Sequence, residues 1–393
     1  MRKKVLVMMP SMFIGGAEKS LLGLLEQFDR ERFEVMLFLF RHEGELMEYI
    51  PKDVPVLGQI LEYTTFDRPI KDLLKSSMFK YGMARLKSKK ALAKYCKETG
   101  EYAEVWKSMQ YTAKYLSPLL PPIPGQYDLA ISFLGIPYYM DRVDAKVKMA
   151  WIHTDYHSLK PNPKMDLEAY EKVDYIVNVS EKCEASFLEF YPQLKDKSLT
   201  IENVLPKALI EMQQQERIEP LAGQVKLLSI GRYSEAKNFD NIPDILSHIR
   251  DQGIDATWYI IGYGADEQLI KDKIQEAKMQ EHVIMLGKKS NPYPYIKACD
   301  LYVQPSRWEG KCVSVIEAQL LHKPVVITNY ETAPSQLLNG EDGIVVPMDN
   351  EGCAKGIADV LNNQELMEDL IANTYLHDYT NAVQLEKIYK VME

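Results

Sequence analysis

Along this chain, short apolar runs of strand length are followed by stretches with helical spacing, and the cycle is run through twice. Val5–Met9 reads as a buried strand, Pro10–Gly16 as a glycine-containing loop, and Ala17–Phe28 as a helix whose Leu21, Leu22, Leu24, Leu25 and Phe28 form one apolar face. A second strand follows over Phe33–Phe40. Strand, glycine loop, helix, strand is how a doubly wound α/β domain begins. Apolar runs at Leu129–Phe133, Lys148–Ile152 and Tyr175–Val179 predict later strands of the same sheet.

The pattern then restarts. Lys226–Ile230 predicts a strand ending at Gly231, and Asn241–Arg250 a helix. Thr257–Ile261 predicts a strand ending at Gly262-Tyr263-Gly264, followed by a helix over Glu267–Lys278 and a strand over Val283–Leu286. Leu301–Gln304, a helix around Ser314–Leu321 and a strand over Pro324–Thr328 complete a second α/β unit. The expected division is residues 1–205, residues 206–379 and a terminal helix over 380–393 that packs back on the first domain. The polar stretch Glu211–Gly223 is the expected linker. Two such domains place a ligand in the cleft between them, outside the carboxyl ends of the strands. Residues from about 60 to 125 fit neither unit. They are helical in pattern, rich in Lys and Tyr, and close with Pro121-Pro122-Ile123-Pro124-Gly125, which predicts an insertion in the first domain.

Composition narrows the class. A chain of 393 residues with 46% hydrophobic and 26% charged residues is globular and long enough for two domains. A net charge of −9 argues against a nucleic-acid binder. Cys96, Cys183, Cys299, Cys312 and Cys353 contain no CxxC pair, so neither a disulfide framework nor a zinc site is indicated, and a reducing cytosol is expected. The basic opening Met1-Arg2-Lys3-Lys4 precedes an apolar run too short for a signal peptide, and no run reaches the length of a membrane span.

The second unit carries the residues that chemistry on a nucleotide sugar requires. Such chemistry needs cations and helix amino ends for a diphosphate, and carboxylates for sugar and ribose hydroxyls. Gly231-Arg232-Tyr233-Ser234-Glu235-Ala236-Lys237-Asn238 follows a strand and puts Arg232 and Lys237 in one loop, a forked cation beside a point charge. A solvated loop with two ordinary cations is the alternative. In Pro305-Ser306-Arg307-Trp308-Glu309-Gly310-Lys311-Cys312-Val313-Ser314-Val315-Ile316-Glu317, Glu309 sits in a loop and Glu317 in the first turns of a helix. The amides of Cys312, Val313 and Ser314 are then expected to face an anion.

These elements resemble glycosyltransferase family 4, retaining enzymes of the GT-B fold, in which two Rossmann-like doubly wound α/β domains face each other across a cleft. The resemblance covers nearly the whole chain and is strongest from Leu227 to Pro347. It implies that the Glu-x7-Glu pair sets Glu309 against the donor sugar as the catalytic carboxylate and Glu317 against the ribose. It also implies that Arg232 and Lys237 grip the diphosphate, that Gly262 and Gly264 match the glycines of the next strand end, and that Gly262 lies on the nucleotide side. Asn291-Pro292, Asp300 and the turn Asn339-Gly340-Glu341-Asp342-Gly343 look like further family positions. In the first domain Gly15-Gly16-Ala17-Glu18 resembles the glycine loop near the donor phosphate. Trp151-Ile152-His153-Thr154-Asp155 resembles the strand end that places a catalytic histidine, His153, beside the transferred sugar; His157 reads as a bystander. After the first glutamate the family commonly continues Gly-Phe/Leu-Pro, whereas this chain has Gly310-Lys311-Cys312. Cys312 is expected to pack rather than react.

Without an Asp-x-Asp pair, the expectation is metal-independent, cofactor-free transfer from a nucleotide diphosphate sugar, UDP-linked, to a saccharide or lipid-linked saccharide in cell-surface polysaccharide synthesis. Within residues 70–94 of the insertion, Lys71, Lys75, Lys80, Arg85, Lys87, Lys89, Lys90 and Lys94 face a single acid, Asp72, with apolar residues between them. That fits a helix lying on an anionic membrane at the inner face of the plasma membrane, and equally a solvated hairpin packed on the first domain. A nucleotide-sugar 2-epimerase on the same scaffold and a non-enzymatic two-domain binding protein are the rival readings. A dehydrogenase is disfavoured, because neither half has a clean GxGxxG with the acidic residue that should follow.

Overall fold

The structure, a computed structural model, describes residues 2–309 and 311–393. Met1 of the basic opening and Gly310 of the glutamate loop lie outside the described residues. By internal contacts the chain divides into two compact units, Met1–Pro206 with Asn381–Glu393, and Lys207–Thr380.

The first unit opens with β1 (Lys3–Met9), α1 (Gly16–Gln27) and β2 (Phe33–Leu39). The insertion follows as α2 (Ile70–Leu74), α3 (Phe79–Thr99) and α4 (Val105–Leu116). Then come β3 (Ile123–Ser132), β4 (Val143–Ile152), α5 (Pro163–Tyr170), β5 (Tyr175–Asn178), α6 (Glu181–Phe190) and β6 (Ser198–Thr200). All six strands are parallel, in the order β2-β1-β3-β4-β5-β6. Val5–Met9 is buried throughout, as a parallel strand covered on both faces must be. Gly23 lets α1 lie directly on the chain at Val204, whose carbonyl oxygen would be 2.1 Å from any Cβ there.

β3 begins earlier than the apolar run predicts. The Pro124-Gly125 step is absorbed as a bulge, with a register shift between Ile123 and Gln126 and Gly125 at φ +111°. The insertion is tied to α5 by a buried polar knot. Asp166 on α5 accepts from Gln110 Nε2 at 2.5 Å, Trp106 Nε1 at 3.2 Å, Tyr191 OH at 3.0 Å and Tyr156 OH. Burial lifts its carboxyl to about 6 against these hydrogen bonds, which favour the anion.

The second unit contains α7 (Lys207–Gln213), β7 (Val225–Ile230), α8 (Ile242–Asp251), β8 (Ala256–Ile261), α9 (Glu267–Glu276) and β9 (Val283–Gly287). It continues with α10 (Tyr293–Ala298), β10 (Leu301–Gln304), α11 (Val313–Leu320), β11 (Val325–Thr328), α12 (Ala333–Gln336), β12 (Ile344–Val346), α13 (Asn350–Leu361) and α14 (Gln364–Thr374). The sheet order β12-β11-β10-β7-β8-β9 is the doubly wound Rossmann order, with its reversal between β7 and β10. The expected linker is partly helical, since α7 takes its first residues.

The last helix, α15 (Leu385–Lys390), is shorter than a helix over 380–393. Asn381 at φ +67° interrupts that run. Tyr389 on α15 stacks on Phe33 at 4.6 Å within the first unit.

Candidate active site

In a doubly wound sheet the two loops at the strand-order reversal diverge and leave a crevice at the carboxyl edge. In the second unit those loops follow β7 and β10, and they are the loops that carry Arg232, Lys237 and Glu309. Tyr233 is buried and anchors the first loop. The second is clamped to it by Arg307, whose guanidinium donates to both Asp240 oxygens at 3.1 and 2.9 Å and to the Glu235 carbonyl at 2.6 Å. The Arg307 amide also donates to the Ala236 carbonyl at 2.8 Å.

The clamp brings Lys237 Nζ to 2.6 Å from Glu309 Oε1, with side chains 16% and 11% exposed. Glu309 Oε1 also accepts from Ser306 Oγ at 2.6 Å. Behind them Gln304 donates to Ser306 Oγ at 2.9 Å, and the Tyr302 hydroxyl lies 2.9 Å from both Gln304 Oε1 and Ser314 Oγ. Cys312 Sγ, 3.3 Å from Ser314 Oγ and 3.6 Å from Lys237 Nζ, closes this into a ring. Burial works against the Lys237 ammonium, but Cys312 and Glu309 opposite outweigh it and hold it above the ordinary lysine value. Burial pushes the Cys312 thiol up despite Lys237 beside it. The thiol is therefore protonated at neutral pH and serves as packing, not as a nucleophile.

At the start of α11 the structure corrects one expectation. The Cys312 amide does not face an open site, because Gln336 Oε1 takes it at 2.7 Å and Gln336 Nε2 returns a bond to the Cys312 carbonyl at 3.3 Å. The Val313 and Ser314 amides have no hydrogen-bond partner among the described residues. They are the first two amides of the helix, where partial positive charge gathers. The Ser314 hydroxyl is already engaged, donating to the Ile230 carbonyl at 3.2 Å.

Glu317 lies on α11 and accepts from the buried Tyr293 hydroxyl at 2.9 Å. Arg232 is exposed, and its guanidinium has no hydrogen bond or ion pair to a described residue. Gly262 is required by packing: a Cβ there would lie 1.9 Å from the Gly231 carbonyl oxygen. Gly264 is held likewise against the Tyr233 carbonyl, at 2.2 Å. Asp300 accepts from the Lys226 amide at 2.7 Å and pairs with its ammonium, a brace at the far end of β7. Asn291 donates to the Gln213 carbonyl at 2.9 Å. In the late turn, Asp342 Oδ1 accepts from the Leu338 amide, with Gly340 at φ +83°.

His153, Gly15 and Gly16 belong to the first unit. Gly15 precedes α1 with extended backbone, and a Cβ on it would meet the Glu18 carboxylate at 2.2 Å; at Gly16 the space is open. His153 follows β4. Its Nε2 lies 2.8 Å from the Phe133 carbonyl, which can only accept, so the proton is on Nε2 and Nδ1 keeps its lone pair. Burial pulls the imidazole down to about 4, so it is neutral at physiological pH. His157 is exposed and lies between Asp155 at 3.0 Å and Glu189 at 2.8 Å. Among the described residues, no three His, Cys, Asp or Glu side chains converge to hold a metal ion.

Sequence reasoning missed Ser306, Arg307, Tyr293 and Gln336. Arg307 and Ser306 stand inside the glutamate loop already singled out, but their partners lie 67 and 72 residues away or on a neighbouring turn, which no local spacing reveals.

Residues 212–377 match the family described as Glycosyl transferases group 1. Among curated relatives, the N-acetylgalactosamine-N,N'-diacetylbacillosaminyl-diphospho-undecaprenol 4-alpha-N-acetylgalactosaminyltransferase of Campylobacter jejuni is 26% identical over 211 residues, 52% of this chain and 51% of that one. The chain spans about half the length of the curated relatives it matches first. Anabaena HepE, solved with UDP and glucose, aligns over 99% of this chain and 100% of its own with a TM-score of 0.58 and 16% identity. A glycosyltransferase from Rickettsia africae aligns over 100% and 98% with a TM-score of 0.56 and 15% identity. The fold is GT-B: two α/β units, each built on a six-stranded parallel sheet. Over residues 212–377 the chain is similar to the glycosyltransferases of this group.

Proposed function

We propose that the protein is a retaining, metal-independent glycosyltransferase of the family 4 type, taking a hexose-type sugar from a UDP-linked donor to a saccharide or lipid-linked saccharide acceptor. The observation that carries this reading is the Lys237–Glu309 pair at the strand-order reversal, beside two open helix amides and the unpaired Arg232. In the resting protein each member of the pair satisfies the other. A diphosphate entering the loop gives Lys237 and Arg232 a better partner, since charge-assisted bonds to phosphate are strong and Arg232 can grip two oxygens. The Val313 and Ser314 amides add two uncharged donors. Glu309, released from Lys237, is then free to accept from a sugar hydroxyl, and Glu317, held by Tyr293, from the ribose.

With two protein cations on the diphosphate, the departing phosphate is stabilised without a metal and can take the acceptor's proton on the face it leaves, which retains the anomeric configuration. The family resemblance assigns neutral His153 to the transferred sugar and Gly15-Gly16 to the donor phosphate. Support for acceptors at a membrane comes from α3, which exposes Phe79, Met83, Lys87, Lys90, Lys94 and Lys97 along one helical stripe. No described helix is long and apolar enough to cross a membrane; the proposed location is the cytoplasm, at the inner membrane surface. The test is turnover of a nucleotide-sugar panel with EDTA present, with the product's anomeric configuration read by NMR. An inverted product, or activity that EDTA abolishes and Mg²⁺ restores, overturns the corresponding part.

A further inference from the structure

The first unit has its own strand-order reversal, between β1 and β3, and a cavity of about 600 Å³ stands on it. Pro10, just beyond β1, and Leu134, Gly135 and Ile136, just beyond β3, form its base. Its walls come from the insertion, chiefly Phe66 and, on α4, Met109 and Ala113. The position is where a doubly wound sheet takes a ligand, and the size is that of a small-molecule site. The insertion is what encloses it.

Its chemistry differs from that of a sugar site, which needs unused donors and acceptors. Phe40 stacks on Phe66 at 5.5 Å and meets Tyr139 edge-on at 5.0 Å, giving an aromatic wall. The Tyr139 hydroxyl is taken by Ser132 at 2.5 Å. Arg85 turns Nη1 to the carbonyls of Thr65 and Arg68, at 2.9 and 2.8 Å, while its buried Nε has no hydrogen-bond partner among the described residues. Lining side chains with polar capacity to spare are few: Arg85 through Nε, Ser108, Thr112 and the exposed Asp67. Val105 and Met109, 78% and 41% exposed, bring apolar surface out to solvent.

We infer that this cavity binds the apolar aglycone of the acceptor, a hydrocarbon or aromatic group carried on the accepting sugar, so that the enzyme takes glycoconjugates in preference to free saccharides. The inference rests on the glycosyltransferase reading for the word acceptor, but the cavity's preference can be measured without turnover. Methyl, n-hexyl and phenyl β-D-glucosides, all below micelle-forming concentrations, are titrated calorimetrically into the full chain. The sugar is common to all three, so the differences report the aglycone alone. A buried methylene is worth about fourfold in affinity. With half of its five added methylenes buried, the hexyl glucoside should bind roughly thirtyfold tighter than the methyl.

Met109→Lys at the mouth and Thr112→Phe within should each remove most of that gain while leaving UDP binding by the second unit unchanged. Equal affinity for methyl and hexyl glucosides overturns the inference, and so does a hexyl preference that both variants keep. A hexyl preference lost in the variants, found together with no UDP binding by the wild type, would leave the apolar site standing and refute the donor reading instead.

Discussion

Replacing Lys237 by Ala removes one half of an ion pair whose other half stays behind. Glu309 is 11% exposed and retains only Ser306 as a side-chain donor among the described residues. Breaking a buried pair from one side costs about 3–5 kcal/mol. Because both side chains keep a little contact with solvent, a discounted loss of about 2–3 kcal/mol is expected here. Lys237→Ala/Glu309→Gln removes both charges, and the amide oxygen can still accept from Ser306. The double variant should therefore regain most of that loss, with a coupling energy of about 2 kcal/mol in the cycle. Urea unfolding followed by circular dichroism and tryptophan fluorescence measures the stability, and turnover of a UDP-sugar measures the function. Turnover should fall on the order of a hundredfold in the single variant and stay low in the double, because a diphosphate ligand is absent from both. A single variant within about 0.5 kcal/mol of wild type, or a double variant less stable than the single, refutes the reasoning.

Four other outcomes follow from the same geometry. Glu317→Ala should raise the Kd for UDP about tenfold, since ribose contacts are alike in ground and transition states, whereas Glu309→Ala should depress kcat more than affinity; titration and steady-state kinetics separate the two. Asp166 titrates near 6 in the fold, above its unfolded value, so its contribution to stability is greatest below pH 4 and is lost as pH rises from about 4 to 6. Subtracting the Asp166→Asn profile from wild type should thus show a fall of about 3 kcal/mol over that window, and a flat difference contradicts the assignment. Lys87→Glu/Lys90→Glu/Lys94→Glu should abolish sedimentation with phosphatidylglycerol vesicles, and persistence of binding would exclude the α3 stripe. Arg232→Lys should recover little of the turnover lost in Arg232→Ala, a point charge being no substitute for the fork.

The two-unit α/β fold is legible because each sheet is parallel and covered on both faces, so its central strands announce themselves as unbroken apolar runs such as Val5–Met9. Strands of three residues leave no such trace. Ser198–Thr200 and Ile344–Val346 extend the two sheets with too few side chains to set a period. Pro124-Gly125 read as the end of an insertion because neither residue favours a strand interior, yet a bulge accommodates both. At the site, the loops after β7 and β10 could be chosen by residue type and spacing. That Lys237 meets Glu309, that Arg307 clamps the loops, and that Gln336 occupies the Cys312 amide are contacts between distant segments. They follow from the strand order, which no single stretch of sequence encodes.

The proposed chemistry requires the second unit's loops to bind the diphosphate of a nucleotide sugar without a metal. Calorimetric titration of UDP and UDP-glucose into the full chain, with EDTA present, measures this directly. Saturable one-to-one binding is expected, weakened at least tenfold in Arg232→Ala and again in Lys237→Ala. No binding of either ligand, or binding that both variants leave unchanged, would contradict it.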